Sequence, residues 1–401
     1  NADFDFNGTI NFNNKVPEMD FISTINRLNL TRLNFFESKA DSGILSSQIL
    51  INLRGASIDN LSGQINFDDT RYTTSSKKYK LSTFDLLLEQ NTSDKKVKLS
   101  SEYLNGIVRG DFNLSNLGNA FEKILTHYYP SIFTKQLKPY NSKKGPEKTA
   151  SDQFVFKFTV KKFNTLRELF FPDLMMEAGT VADGNFNAPE NKLNLQFSSP
   201  KFRYSSFSAK NLLFILNESE QTVLAETSCD ALFIGDSLSL DNFNFGLKST
   251  DRNAQYGADW DNLKSPAVKG DIKGSMAYRD SSFNFLTEKI NITINDSTWA
   301  LINPSRLSVK PRGRFEVSEC HLKNHQQEIN VAGSLTQKKG DRLTVFINNL
   351  VLKQFNPALK GIGLKLDGVL NGEISLSNTD GNFVFDGGVD AQNFSLNNNF
   401  I

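Results

Sequence analysis

The sequence is poor in the residues that carry most chemistry. It has two cysteines, Cys229 and Cys320. That is too few for a disulfide framework; two free thiols in the core are the expectation, with a single bridge as the alternative. It has three histidines, His127, His321 and His325. The last two fall in Cys320-His321-Leu322-Lys323-Asn324-His325, the one stretch that resembles a metal motif. Leu322 stands where an HExxH zinc site needs glutamate, so a solvated loop is expected there and no metal. There are two tryptophans, Trp260 and Trp299, read as strand-packing residues rather than a carbohydrate platform. No apolar run approaches the ~20 residues of a membrane helix; the longest are short, such as 86–88 and 212–216.

Signatures of catalysis and cofactor binding are missing too. Gly361-Ile362-Gly363 is followed by Leu366 where a dinucleotide fingerprint needs glycine, and there is no P-loop or nucleophile elbow. Asn378, Asp380 and Asn382 alternate like calcium ligands, but Phe383 occupies the place of the EF-hand glycine. A turn at Asp380-Gly381 explains them better. The expectation is a protein that is not an enzyme and has no cofactor.

Charge of either sign is not in excess. Against 45 basic side chains stand 44 acidic ones, for a net charge of +1, which argues against nucleic acid as a partner. With 38% apolar and 22% charged residues and a mean hydropathy of -0.38, the composition is neither that of a disordered chain nor that of a membrane-embedded one. Length alone allows two or three domains. The chain starts at Asn1, without Met, signal peptide or anchor, and stops at Ile401 inside an alternating pattern. Both ends read as cuts through a longer protein.

What is abundant is phenylalanine, 34 residues against nine Tyr and two Trp, together with Asn, Ser and Gly. Aromatic and β-branched residues favour pleated surfaces, and Asn, Asp, Ser and Gly favour turns. Period-2 alternation dominates the chain. Phe4, Phe6, Ile10 and Phe12 share one parity, as do Leu193, Leu195 and Phe197, then Phe243, Phe245 and Leu247. Ile290, Ile292 and Ile294 follow, then Leu343, Val345 and Ile347, then Leu370, Ile374 and Leu376, and last Phe383 and Phe385. Between them stand Asn, Asp, Lys and Ser, so each strand has one apolar and one wet face.

Glycines recur on the apolar parity. Gly8, Gly63, Gly110, Gly184, Gly274, Gly333 and Gly372 each stand between two apolar residues, and Gly106, Gly270, Gly368 and Gly387 fit the same pattern. Glycine within a strand costs stability and marks a bend, a bulge or a close approach. Asn7-Gly8, Asn105-Gly106, Asp183-Gly184 and Asn371-Gly372 also read as turn dipeptides. Their shared parity favours the strand-bend reading for the set: a sheet that curves and keeps its concave side open.

Two helices interrupt the strands. Leu117, Phe121, Ile124, Leu125 and Tyr128 have helical spacing with Pro130 as terminator; Phe163, Leu166, Leu169 and Phe170 form a second set before Pro172. Residues 134–152 between them are rich in Lys and read as a solvated linker or loop. The expected organisation is a β-segment over 1–133 ending in a helix, the linker 134–152, and a second β-segment over 153–401 opening with a helix. These helices either cap a groove mouth or pack on a sheet edge.

The fold class that follows is all-β: an elongated, repetitive, curled sheet with an apolar concave face and two short helices. About 25–30 strands of ordinary length fit the chain. At ~4.8 Å per strand the rod would be on the order of 100 Å long. The expected lining of the groove is Phe4, Phe6, Ile10, Phe12, Val108, Phe112, Phe186, Leu193, Leu195, Phe197, Phe243, Phe245, Leu247, Ile272, Met276, Ile290, Ile292, Leu370, Ile374, Leu376, Phe383 and Phe385.

Four stretches carry a family resemblance: AFEKILTHYYPSIF (120–133), TLRELFFPDLMMEAGTVADGNFNAPENKLNLQF (165–197), INVAGSLTQKKGDRLTVFINNLVL (329–352) and LDGVLNGEISLSN (366–378). In repeat style and segment order the whole chain resembles the TamB family of Gram-negative envelope proteins, within the wider AsmA-like group, in a form typical of Bacteroidota. The resemblance implies a long β-taco in the periplasm, anchored in the inner membrane by an N-terminal helix that this chain lacks. It implies a hydrophobic interior conducting phospholipid acyl chains between inner and outer membranes, and an outer-membrane Omp85-type barrel (TamA-like) as a partner. A structural or chaperone role in outer-membrane protein assembly is the alternative, and an adhesin-like β-solenoid with a solid core is a third reading. The family offers no catalytic residues to transfer.

Overall fold

The computed structural model describes residues 2–12, 16–29, 43–74, 77–81, 83–91, 94–133, 152–219, 221–235, 238–262, 268–294, 297–311, 314–336, 340–359, 363–379, 382–397 and 399–400. The expected linker falls outside them except for Asp152, as do Gly361, Ile362, Asp380 and Gly381. The described residues form 26 strands and a few short helices, so the protein is all-β. It divides into two units, Asn1–Ile124 with Asn141–Lys201, and Leu125–Tyr140 with Phe202–Ile401.

The first unit contains β1 (Asp3–Asn11), β2 (Glu18–Asn29), β3 (Ile44–Arg54), β4 (Ser62–Thr73), β5 (Lys78–Leu81), β6 (Phe84–Gln90), β7 (Lys95–Ser101), β8 (Leu104–Asp111), β9 (Gln153–Val160), β10 (Leu174–Met176), β11 (Val181–Asn187) and β12 (Lys192–Tyr204). Pairing is antiparallel and serial from β1 to β4, then β6 to β9, β11 and β12. The partner of β4 is broken in two: Gly63–Phe67 pair with β6 and Thr70–Thr73 with β5.

The second unit contains β13 (Phe207–Ser219), β14 (Thr222–Ile234), β15 (Leu238–Ser249), β16 (Asn253–Asn262), β17 (Val268–Arg279), β18 (Ser282–Ile294), β19 (Ser297–Leu301), β20 (Ser305–Lys310), β21 (Arg314–Asn324), β22 (Gln327–Leu335), β23 (Arg342–Val351), β24 (Leu366–Thr379), β25 (Asn382–Leu396) and β26 (Asn399–Phe400). It is again a serial antiparallel meander. Here β18 has the broken partner, pairing with β19 near its end and β20 near its start, and both halves continue onto β21.

The glycines of the apolar parity stand inside strands, not in hairpin turns: Gly8 in β1, Gly63 in β4, Gly110 in β8, Gly184 in β11, Gly274 in β17, Gly333 in β22 and Gly372 in β24. Gly8 shows why. Its φ is +147°, and a Cβ there would lie 2.3 Å from the Asp20 carbonyl oxygen and 2.4 Å from the Phe21 Cα, so a side chain would force β1 off β2. Gly270 has a different reason: a Cβ there would lie 1.9 Å from Cζ2 of Trp260, whose indole ring covers the glycine from the neighbouring strand.

Asparagine, expected in turns, also works in mid-strand. In β23 the register slips between Ile347 and Leu350, and in β24–β25 between Asp367 and Val369. Asn349 and Asn393 sit at these slips with φ of 52°, a conformation Asn adopts more readily than bulky residues. The Asn349 N–H donates to Asn371 Oδ1 at 2.8 Å. Further bulges interrupt β2–β3, β3–β4, β17–β18 and β21–β22. A bulge bends its strand and increases the local twist, and this is what curls each sheet.

Four helices lie on the strand ends. The expected pair is present as α1 (Leu117–Tyr128) and α3 (Asn164–Phe170). Pro130 does more than stop α1: it opens α2 (Pro130–Phe133), where a missing N–H costs nothing at the first helical position. The fourth, α4 (Asn356–Leu359), follows a 3-10 turn at Leu352–Phe355 and was not anticipated. Four residues are too few to show a helical period.

Candidate functional site

The register carries the alternation across many strands. In the first unit, Ile10, Met19, Leu53, Gly63, Leu88, Val97, Val108, Phe156, Gly184 and Leu195 are cross-strand partners in one unbroken row. The adjoining row on the same face is Gly8, Phe21, Ile51, Ile65, Leu86, Leu99, Gly106, Phe158, Ala182 and Phe197. Neither row contains a charge or a hydrogen-bonding side chain. The row between them, on the opposite face, is mostly polar: Thr9, Asp20, Asn52, Gln64, Leu87, Lys98, Ile107, Lys157, Asp183 and Gln196.

The second unit repeats this. Ala254, Met276, Phe285, Leu307, Val317, Gly333, Leu343, Leu376 and Phe385 form one row from β16 to β25. Cys320, Val331, Val345, Ile374 and Gly387 form another. On the earlier strands Phe245, Ala258, Ile272 and Ile290 continue the face. It is interrupted by hydroxyls at Thr287 and Ser305, which are cross-strand partners; Thr287 lies 3.1 Å from the Tyr256 hydroxyl.

These rows are not a closed core. Most of their side chains are half-buried, and fully buried apolar residues are few. The face is most open at its outer strands: Phe4, Phe6 and Ile10 on β1 are 59%, 45% and 45% exposed, and Phe383 and Phe385 on β25 are 60% and 73% exposed.

Most of the residues expected to line a groove take their place on this face. In the first unit they are Phe4, Phe6, Ile10, Val108, Leu193, Leu195 and Phe197. In the second they are Phe243, Phe245, Leu247, Ile272, Met276, Ile290, Ile292, Leu370, Ile374, Leu376, Phe383 and Phe385. Phe12 lies past the end of β1 and is 71% exposed. Two expectations are corrected. Phe112 and Phe186 do not line an open surface: they are 1% and 3% exposed, with α1 lying over Phe186 and Lys95 over Phe112. Phe121 of that helix stacks on Phe186, with ring centroids 6.1 Å apart. Phe154 packs on both Phe186 and Phe112, at 5.0 and 5.5 Å. The buried Asp152 holds the approach to α1 in place, accepting the Asn113 N–H at 2.6 Å and Asn116 Nδ2 at 3.0 Å.

The Leu352–Leu359 segment covers part of the face in the second unit. Trp299, Leu350 and Leu352 form a buried cluster, against which the partly buried Leu322, Ile329, Ile347, Phe355, Leu366, Leu370 and Phe394 pack, so the face is packed over beside Leu370. Sequence reasoning missed Met19, Ile51, Leu86, Leu99 and Phe158. Each follows the same period-2 signal, and the run of leucines at 86–88 masked it locally.

Cys320 and His321 lie within β21 and only His325 (φ 52°) sits in the following turn, which corrects the loop reading. His321 Nε2 lies 3.6 Å from Glu328. Lys323, 2.9 Å from Glu328, holds that carboxyl below the ordinary range by hydrogen bonding and charge. Among the described residues no cluster of three metal-binding side chains occurs. The two cysteines are unpaired. Burial, with the nearby Asp230 charge, pushes the Cys229 thiol up to about 11. No described helix is long and apolar enough to cross a membrane.

No family model, no curated protein and no solved structure matches this chain.

Proposed function

We propose that this protein is a scaffold whose apolar sheet face conducts phospholipid acyl chains between two membranes, as a periplasmic part of a cell envelope. The reading rests on one observation: two adjacent rows cross ten strands of the first unit without a polar side chain, and remain half-exposed. At about 0.8 kcal/mol per methylene, a lipid with some thirty methylenes gains on the order of 20 kcal/mol from such cover. Near-equivalent rows, repeated strand after strand, hold a chain without offering it one deep trap. The headgroup travels at the open side, where water remains.

The TamB-like resemblance in repeat style supports the cargo and the compartment. The alternative that the resemblance offers is an assembly scaffold for outer-membrane barrel proteins working with an Omp85-type partner.

The two readings are separated by photo-crosslinkers at Phe245 and Ile374, with mass spectrometry of an organic extract of the purified protein. Co-purified phospholipid and lipid adducts at both positions are expected. Clean extracts together with protein adducts along β25 would replace the conduit by the assembly scaffold.

A further inference from the structure

A concavity of about 1100 Å³ lies across β15 to β21 in the second unit, lined mainly by residues of the wet face. Its floor is low because small side chains meet there: Ser275, Ala277 and Ser308. The register explains the arrangement. Lys248, Gln255, Ser275, Leu286 and Arg306 form one cross-strand row, and Asn253, Ala277, Asn284, Ser308 and Glu316 the next. Long side chains thus stand around hydroxyls, amides and Ala277, which share the lining with Leu286 and with Ala254, Met276, Phe285 and Leu307 of the row between.

The charges around it are unbalanced. Lys310 pairs with Glu316 at 3.2 Å. The side chains of Lys248, Arg279 and Arg306 have no hydrogen-bond or ion-pair partner among the described residues, and Asp280 is the one acid set against them. Elsewhere on this face cations are matched, as Lys269 is with Asp261 and Lys289 with Asp271. Lys248 and Arg306 are four strands apart, about 19 Å at ordinary strand spacing, so they do not converge on one small ion. The one aromatic residue of its lining, Phe285, belongs to the apolar row.

We infer that this cavity binds a phosphate ester carrying neighbouring hydroxyls, with Arg306 and Arg279 on the phosphate and the Ser and Asn side chains of the floor on the hydroxyls. Guanidinium groups suit phosphate through paired charge-assisted hydrogen bonds, and a polyol matches a floor of donors and acceptors. The side chains it uses belong to the wet rows, so its test is independent of the conduit.

The test is calorimetric titration of the full chain with myo-inositol 1-phosphate, myo-inositol and inorganic phosphate. A parallel flotation assay uses phosphatidylcholine vesicles with and without phosphatidylinositol. Saturable binding of inositol phosphate is expected, with inositol and inorganic phosphate each weaker by about ten-fold or more, and Arg306→Ala or Arg279→Ala lowering affinity about ten-fold. Ser275→Trp, which fills the floor, abolishes binding, and Lys98→Ala on the first unit leaves it unchanged. Flotation that needs phosphatidylinositol and is lost in Arg306→Ala assigns the ester to a lipid headgroup; soluble binding alone assigns it to a free ester. Binding of neither probe, binding indifferent to Arg306, Arg279 and Ser275, or inorganic phosphate binding as tightly as the ester would each overturn the inference.

Discussion

Leu99→Glu is the most direct perturbation of the proposed conduit. Leu99 stands in β7 between Leu86 and Gly106, in the middle of an unbroken apolar row. It is half-buried, so a carboxylate there stays hydrated and the strand still pairs. A hydrated charge withdraws apolar cover from the strand spacing on either side, about 10 Å. At about 0.8 kcal/mol per methylene, five or six uncovered methylenes add about 4–5 kcal/mol to passage. At 1.36 kcal/mol per decade that slows transfer by about a thousand-fold. The assay is transfer of a fluorescent phospholipid between donor and acceptor vesicles by the purified chain. Lys98→Glu places the same charge on the wet face of the same strand and is expected to leave transfer unchanged. Wild-type transfer by Leu99→Glu, with an unaltered thermal midpoint, would refute the reasoning.

Three further outcomes follow from the packing. Gly270→Ala drives its Cβ into the Trp260 ring; overpacking of this kind costs about 1–3 kcal/mol, read as a lower thermal midpoint and a red-shifted emission in a Trp299→Phe background. Asp152→Ala strands the Asn113 N–H without its acceptor at a cost of about 1–3 kcal/mol, and hydrogen exchange is expected to quicken over residues 113–128. Burial raises the Cys229 thiol in the folded chain to about 11, above an ordinary thiol at about 8.5, so the stability it contributes is complete below the ordinary thiol range and declines as pH rises towards 11. The urea midpoint should therefore fall more between pH 9 and 11 in the wild type than in Cys229→Ala, and Cys229 should resist alkylation at pH 8 until the chain is unfolded.

Much of this was legible from residue order. The alternation of Phe4, Phe6 and Ile10, or of Leu193, Leu195 and Phe197, predicts strands with one apolar face because the side-chain period of a strand is two. The glycines at 8, 63 and 110 announce close approach, since nothing else is gained by deleting a side chain from an apolar face. Parity fails where a bulge intervenes. In β18, Phe283 and Phe285 face the same way as Ile290 and Ile292 although the numbering changes from odd to even; in β21, Phe315 and Val317 share a face with Cys320 and Leu322. A one-residue slip flips every later side chain, and no single-strand pattern records where it falls.

Sequence alone therefore determined the class, all-β with one wet and one apolar face, because that follows from local periodicity and turn chemistry. Only the tertiary structure decided which apolar residues stay open. Phe186 has the same pattern as Val108 and Leu195, yet Phe121 of α1 stacks on it and leaves the other two half-exposed. That difference depends on which distant segment lands on which strand end, a contact between residues far apart in the chain. The same holds for the concavity of the second unit: Lys248, Arg279 and Arg306 line it together only because four serial pairings bring β15 to β20 into register.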